Sequence, residues 1–208
     1  MKNLIILLLV SSSQLFAAQP NFIFILSDDQ DWTETGVQMH PDIPNSKSPY
    51  IETPNLEKLA SQGMTFSAAY SPAPVCSPTR ISLQTGKSPA QLNFTKAAPV
   101  MTARHNYKLI PPQINRSISS DEITIAEMLK TAGYATAHYG KWHLQNGGPE
   151  NHGYDESDGN TGNQDAAPHV APNAVDIYGI TERANAFMEK NAKSGTPFFM
   201  QLSHNALH

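Results

Sequence analysis

The chain has 208 residues, 39% of them hydrophobic and 15% charged, with a formal net charge of −4. That balance excludes a disordered or fibrous chain and allows one well-packed core. It also excludes a nucleic-acid-binding surface, since no Lys/Arg cluster is present to neutralise phosphates, although a few local cations would suffice for a small anion.

Residues 1–18 read as a secretory signal peptide: Lys2 gives the positive start, Leu4 to Val10 the short apolar run, and Ser11 to Ala18 the approach to cleavage. Phe16 stands where a small residue is preferred. The apolar run is too short to span a bilayer, so stable membrane insertion is not expected and a secreted or periplasmic location is. An exported chain with a single Cys has no internal disulfide framework, and Cys76 needs another explanation. Most free thiols are simply small buried hydrophobes.

Phe22 to Leu26 is a continuous apolar run and predicts a strand buried on both faces, ending abruptly at Ser27-Asp28-Asp29-Gln30-Asp31. A polar loop follows to Tyr50. The first helix is predicted from a Thr53 cap and Pro54 to Gly63, with Leu56, Leu59 and Ala60 as its apolar face. Met64 to Tyr70 reads as a strand. Cys76-Ser77-Pro78-Thr79-Arg80 opens a second helix that Gly86 closes, and 87–120 is an excursion loop. Thr124 with Glu127 is a capping-box pattern leading Ile125, Met128 and Leu129 into a third helix stopped by Gly133. Tyr134 to Tyr139 is a strand running into Gly140-Lys141-Trp142-His143, and 146–173 is loop. A helix from about Tyr178 to Lys193 carries Ile180, Ala184, Phe187 and Met188 along one side. Pro197 then introduces the strand Phe198 to Leu202, before the tail Ser203 to His208. Strands alternating with helices predict an α/β fold, a mostly parallel central sheet with helices on both faces.

In such sheets ligands bind beyond the carboxyl ends of the strands. Asp28-Asp29, Lys141 with His143, and the His204/His208 segment all fall at such ends, while Cys76 and Arg80 start a helix, where anions are favoured. Each piece alone has a plainer reading: adjacent aspartates cap turns, an exposed Lys is ordinary, and lone histidines are more often structural. Four on a common rim make a site. Lys141 and His143, one residue apart on extended backbone, would share a side and suit an anion contact with proton transfer. The aspartates offer hard oxygens for Ca²⁺ or Mg²⁺. Cys76, with Arg80 one helical turn on, is either an activated thiolate or a residue to be modified. Soft sulfur matches hard-cation ligands poorly, and replacing it by oxygen removes the conflict.

Cys76-Ser77-Pro78-Thr79-Arg80, with Leu83 and Thr85-Gly86 behind it, resembles the Cys-x-Pro-x-Arg signature of type I sulfatases. Gly133-Tyr134-Ala135-Thr136, continuing to Gly140-Lys141-Trp142-His143, resembles that family's second signature. The opening Asn21 to Asp29 and the closing Pro197 to His208 are also similar, so the likeness runs from about Pro20 to the last residue. Gln84 and Tyr139 depart from the usual aliphatic or small residues. The resemblance implies an alkaline phosphatase-like fold over 20–208 and formylglycine made from Cys76 by a maturation enzyme. One hydroxyl of the hydrated aldehyde would attack the sulfate sulfur and the other would later expel sulfate. Asp28, Asp29 and the modified Cys76 would ligate Ca²⁺, preferred to Mg²⁺. Arg80 would steady the hydrated aldehyde, Lys141 would bind sulfate, His143 would take a proton, and His208, or in its place His204, would assist the leaving oxygen.

The implied substrate is a sulfated small molecule or polysaccharide. The family's members are more than twice this long, so 20–208 is expected to be the front of an incomplete catalytic domain, inactive by itself and weak in calcium binding. The alternatives are a phosphonate or phosphate monoester hydrolase of the same superfamily, a non-catalytic carbohydrate-binding relative, and a redox-active thiol protein, the last disfavoured by the lack of a Cys-x-x-Cys partner.

Overall fold

A computed structural model describes residues 19–97, 103, 105–163 and 174–206. Its centre is a four-stranded, all-parallel sheet in the order β1-β4-β2-β3, with β1 at Phe22–Leu26, β2 at Ala135–Gly140, β3 at Glu156–Ser157 and β4 at Phe198–Ser203. The helices are α1 (Pro54–Gln62), α2 (Cys76–Thr85), α3 (Ile125–Thr131) and α4 (Ile177–Ser194). The expected α/β class with helices on both faces is what forms.

The sheet is held from two sides because β4 alternates. Phe198, Met200 and Leu202 enter one apolar cluster with Ile180, Ala184 and Phe187 of α4, while Phe199 joins Ile81 of α2 and Ala126 of α3 in the other. Buried positions on α4 recur as Ile180, Ala184, Phe187 and Asn191, the spacing of one helical face. α3 begins with the expected capping box: Thr124 Oγ1 accepts from the Glu127 amide at 3.2 Å, and Glu127 Oε2 accepts from the Thr124 amide at 2.8 Å. Gly86 closes α2 in the left-handed region, at φ 68°.

Four expectations need correction. Phe22 to Leu26 is a strand, but it is not covered on both faces: among the described residues it pairs only with β4, and Phe22 to Ile25 are all exposed. Met64 to Tyr70 is no strand; Met64, Phe66 and Tyr70 lie exposed, and among the described residues no neighbouring strand completes a ladder with them. α1 starts at Pro54 as expected, yet Leu56 and Leu59 are uncovered, and the Thr53 hydroxyl accepts from the Gly36 amide at 2.7 Å instead of capping the helix. The loop after Asn146 is interrupted by a 3-10 turn at Pro149–His152 and by β3. The expected leader, residues 1–18, lies outside the described residues.

Gln84, the departure on α2, is buried against β4 in a small polar cluster. Its amide donates to Gln201 Oε1 at 2.9 Å and its Oε1 accepts from Tyr154 Oη at 2.9 Å, while Gln201 Nε2 reaches Ser203 Oγ at 2.9 Å. Tyr154 sits wholly buried, and burial raises its hydroxyl well above the usual phenol range. Gln84→Ala removes both bonds, leaving Tyr154 Oη and Gln201 Oε1 only each other at 3.5 Å, and is expected to lower stability by about 2 kcal/mol. Urea unfolding checks this; a change below about 0.5 kcal/mol would mean that water replaces the amide.

Candidate active site

Strand register brings the chemistry to one rim. Leu26 and Gly140, the last residues of β1 and β2, both pair with Ser203, the last of β4, so residues 28, 141 and 204 leave the sheet side by side. The Asp28 carboxylate, 5% exposed, is ion-paired to the Lys141 ammonium and stands 3.5 Å from the Arg80 guanidinium of α2. Lys141 is completely buried and Arg80 is 3% exposed. Arg80 Nη1 also donates to the Lys141 carbonyl at 2.5 Å. Burial holds the Arg80 guanidinium below its usual value, and the Asp28 carboxylate pulls the other way.

Beside this triad opens a cleft of about 760 Å³ bordered by Asp28, Asp29, Asp31, Cys76 and Arg80. Cys76 is partly exposed at the first position of α2, and the extended Val75 before it offers no side-chain cap to the helix start. Asp29 adopts φ 57°, a left-handed turn that Asp tolerates better than most residues.

The turn after β2 is tightly built. Gly140 takes φ 88°, and a Cβ there would collide with the carbonyl oxygen of Ser203. The Lys141 amide donates to that same carbonyl at 2.8 Å. Thr161 clamps the turn from outside: its hydroxyl donates to the Gly140 carbonyl at 2.6 Å and accepts from the Trp142 amide at 3.0 Å, while its carbonyl accepts from the His143 amide at 2.8 Å. Asp158 accepts from the Gly140 amide at 2.7 Å and pairs with Arg183. His143, Gln145 and Asn146 all lie at positive φ, between 51° and 60°. The backbone is therefore not extended at His143, as the shared-side expectation required. Lys141 turns to Asp28, whereas His143 lines a different cleft, of about 450 Å³, with Ser77 on its wall.

Asp28, Arg80 and Lys141 are thus brought into contact, with Asp29 and Cys76 on the adjoining cleft. His143 is one helix start away, His204 is half-buried with its imidazole lowered by burial, and His208 lies outside the described residues. Sequence reasoning missed Thr161, Asp158 and Ser203. Each acts through a turn contact at long range, and a hydroxyl or carbonyl used that way leaves no local signal.

The donor chemistry suits a hard divalent cation in part. Three carboxylates and one guanidinium border the Cys76 cleft, so an anion there needs a compensating positive charge, and Asp28 and Asp29 are hard oxygen donors. Among the described residues, no group of three or more His, Cys, Asp or Glu is disposed to hold a metal. Asp28 and Asp29 provide a partial set.

Beneath the rim, His138 is buried between Trp142 and Tyr154 and is lowered from 6.5 to about 3, first by burial and then by the Arg80 charge. Between those two values the unfolded chain binds a proton that the folded chain refuses. Stability therefore falls as pH drops through this window, by on the order of 1 kcal/mol per pH unit from this group. The urea midpoint is expected to fall between pH 7 and pH 5, and to fall less in His138→Phe. Equal slopes in the two proteins would show that His138 does not fold neutral.

A family model described as Sulfatase matches residues 20–208. The N-acetylgalactosamine-6-sulfatase of Mus musculus is 35% identical over 212 residues, covering 95% of this chain and 38% of that relative. Among solved structures, Ps i-CgsB superposes with a TM-score of 0.68 at 24% identity, over 91% of this chain and 45% of that one. A second, solved in complex with its substrate D-glucosamine-2-N,6-O-disulfate, gives 0.65 at 24% identity over 91% and 35%. The chain spans less than half the length of each.

Proposed function

The chain belongs to the sulfatase family, and on that premise we propose that it carries the nucleophile and the first anion-binding residues of an exported hydrolase of sulfate monoesters on saccharides. The observation that carries this reading is the buried contact of Arg80 and Lys141 on Asp28 at the mouth of the cleft that holds Cys76. Support for a saccharide comes from the relative named for N-acetylgalactosamine-6-sulfate and from the neighbour bound to a sulfated glucosamine.

Cys76 is the residue converted to formylglycine. Sulfur leaves as sulfide, oxygen at the level of water takes its place, and two electrons and two protons pass to an oxidant used by a maturation enzyme. Hydrated, that carbon supplies two hydroxyls, one for attack on sulfur and one for later release of sulfate. Arg80, fixed through Asp28 and the Lys141 carbonyl, holds its charge against the oxygens at position 76. Lys141 adds its positive charge from behind Asp28 as negative charge spreads over the sulfate in the transition state. His143, whose cleft meets that of Cys76 at the first turn of α2, would take the proton that must leave before sulfate is expelled, and His208 would meet the departing ester oxygen. Asp28 and Asp29, with the oxygen at position 76, would hold Ca²⁺, which would supply the positive charge that the cleft's three carboxylates call for. Residues 1–18 direct export.

The test is the mass of the peptide containing residue 76 after coexpression with a maturation enzyme. Formylglycine makes it lighter by about 18 Da and reactive to an aminooxy probe. An unmodified, alkylatable thiol under those conditions overturns the proposal.

A further inference from the structure

The cleft that receives His143 has a character of its own. Its ionisable lining among the described residues is Lys96, Arg116 and His143, with no carboxylate, and Ser77 and Ser117 add hydroxyls. Among the described residues neither Lys96 nor Arg116 is held in an ion pair, although six of the eight ion pairs found among those residues hold exposed or half-buried cations elsewhere.

The three segments that carry these groups are fixed to one another. The Asn115 amide donates to the Asn93 carbonyl at 2.7 Å, Asn115 Nδ2 to the Leu92 carbonyl at 2.8 Å, and Asn93 Nδ2 to the Gln113 carbonyl at 3.1 Å. The Ile118 amide donates to the Leu144 carbonyl at 3.0 Å. Leu92, Phe94, Ile118 and Leu144 anchor the same segments in one apolar cluster. Two cations are thus placed on a braced frame rather than on freely moving loops.

The position is equally specific. Ser77 borders this cleft and Cys76, its neighbour in the chain, borders the other, so the two clefts meet at the first turn of α2. We propose that the Lys96/Arg116 cleft is a second anion subsite, which takes an additional oxyanion group of the same saccharide whose sulfate ester lies at Cys76. This rests on the sulfatase reading and adds to it the class of substrate: a saccharide with two anionic groups, the second being a sulfate or a carboxylate. A guanidinium fork, an ammonium and hydroxyls suit either oxyanion.

Binding is measured by calorimetry on protein carrying this chain, made without a maturation enzyme so that nothing turns over. Three probes separate the cases: N-acetylglucosamine-6-sulfate, D-glucosamine-2-N,6-O-disulfate, and the 6-sulfated disaccharide of glucuronate and N-acetylgalactosamine. At least one dianionic probe is expected to bind about tenfold more tightly than the monosulfate, with the advantage shrinking as salt is raised; which one does so identifies the second group. In the Lys96→Ala/Arg116→Ala double variant that advantage should vanish while monosulfate binding persists, and Lys96→Arg/Arg116→Lys should restore it. Dianions that bind no better than the monosulfate, or an advantage that survives the double variant, overturn the subsite. Failure of all three probes to bind sinks the sulfate-site reading, and this one with it.

Discussion

Asp28→Asn is expected to destabilise the folded chain by about 3–5 kcal/mol, the range for removing one partner from a buried ion pair. The reason lies in the inventory around that carboxylate. Lys141 is wholly buried and Arg80 almost so, and both lean on Asp28. Asn keeps the shape but withdraws the negative charge, leaving two cations in a region where hydration is denied. For a chain of this size such a loss lowers the melting temperature by about 6–20 °C. The companion variant makes the test sharp: Lys141→Met alone also destabilises, but added to Asp28→Asn it should recover part of the loss. A loss below about 1 kcal/mol in the single variant, or strict additivity in the pair, would show that water enters and the triad is not a buried one.

Gly140→Ala is the second large effect, of about 3 kcal/mol or more, and it is local in origin. The left-handed backbone at 140 costs an alanine about 1–2 kcal/mol by itself. The new methyl also meets the Ser203 carbonyl, a backbone atom already receiving the Lys141 amide. Strand β2 must shift or the Lys141 amide must lose its acceptor, so damage should reach the Asp28–Lys141 contact as well. Backbone amide exchange reads both parts: protection at Lys141 should fall more than protection at Ala137, in mid-strand. A Gly140→Ala protein as stable as the parent, with Lys141 still protected, would mean the turn relaxes freely.

How much of this was legible in the chain depends on how far each cause lies along it. α2, α3, α4, β2 and β4 could be read because their signals are local: the Thr124/Glu127 pair, Gly86 past a helix end, the four-residue spacing on α4, Pro197 ahead of an apolar run. The apolar run of β1 shows that the strand is made to be covered and says nothing about what covers it, which is why its faces were misjudged. Met64 to Tyr70 has the composition of a strand, but a strand needs a partner, and partners are not written in a seven-residue window. In the site, Asp28, Arg80 and Lys141 were legible because each stands at the end of an element, where register does the rest. The backbone at His143 departs from the extended expectation because its left-handed turn has no glycine to announce it. Thr161 and Ser203 were invisible, since their contacts join Gly140 and Lys141 across 21 and 62 residues of chain, respectively.

Among the described residues the outer flank of β1 pairs with no strand, next to Phe22, Ile23, Phe24 and Ile25, all in reach of solvent. Folding of one chain is first order in protein, whereas pairing of two such flanks is second order, so the two processes compete on different concentration scales. Recovery of this 208-residue chain from denaturant should therefore depend on dilution: high yields when dilute, and association through β1 as concentration rises.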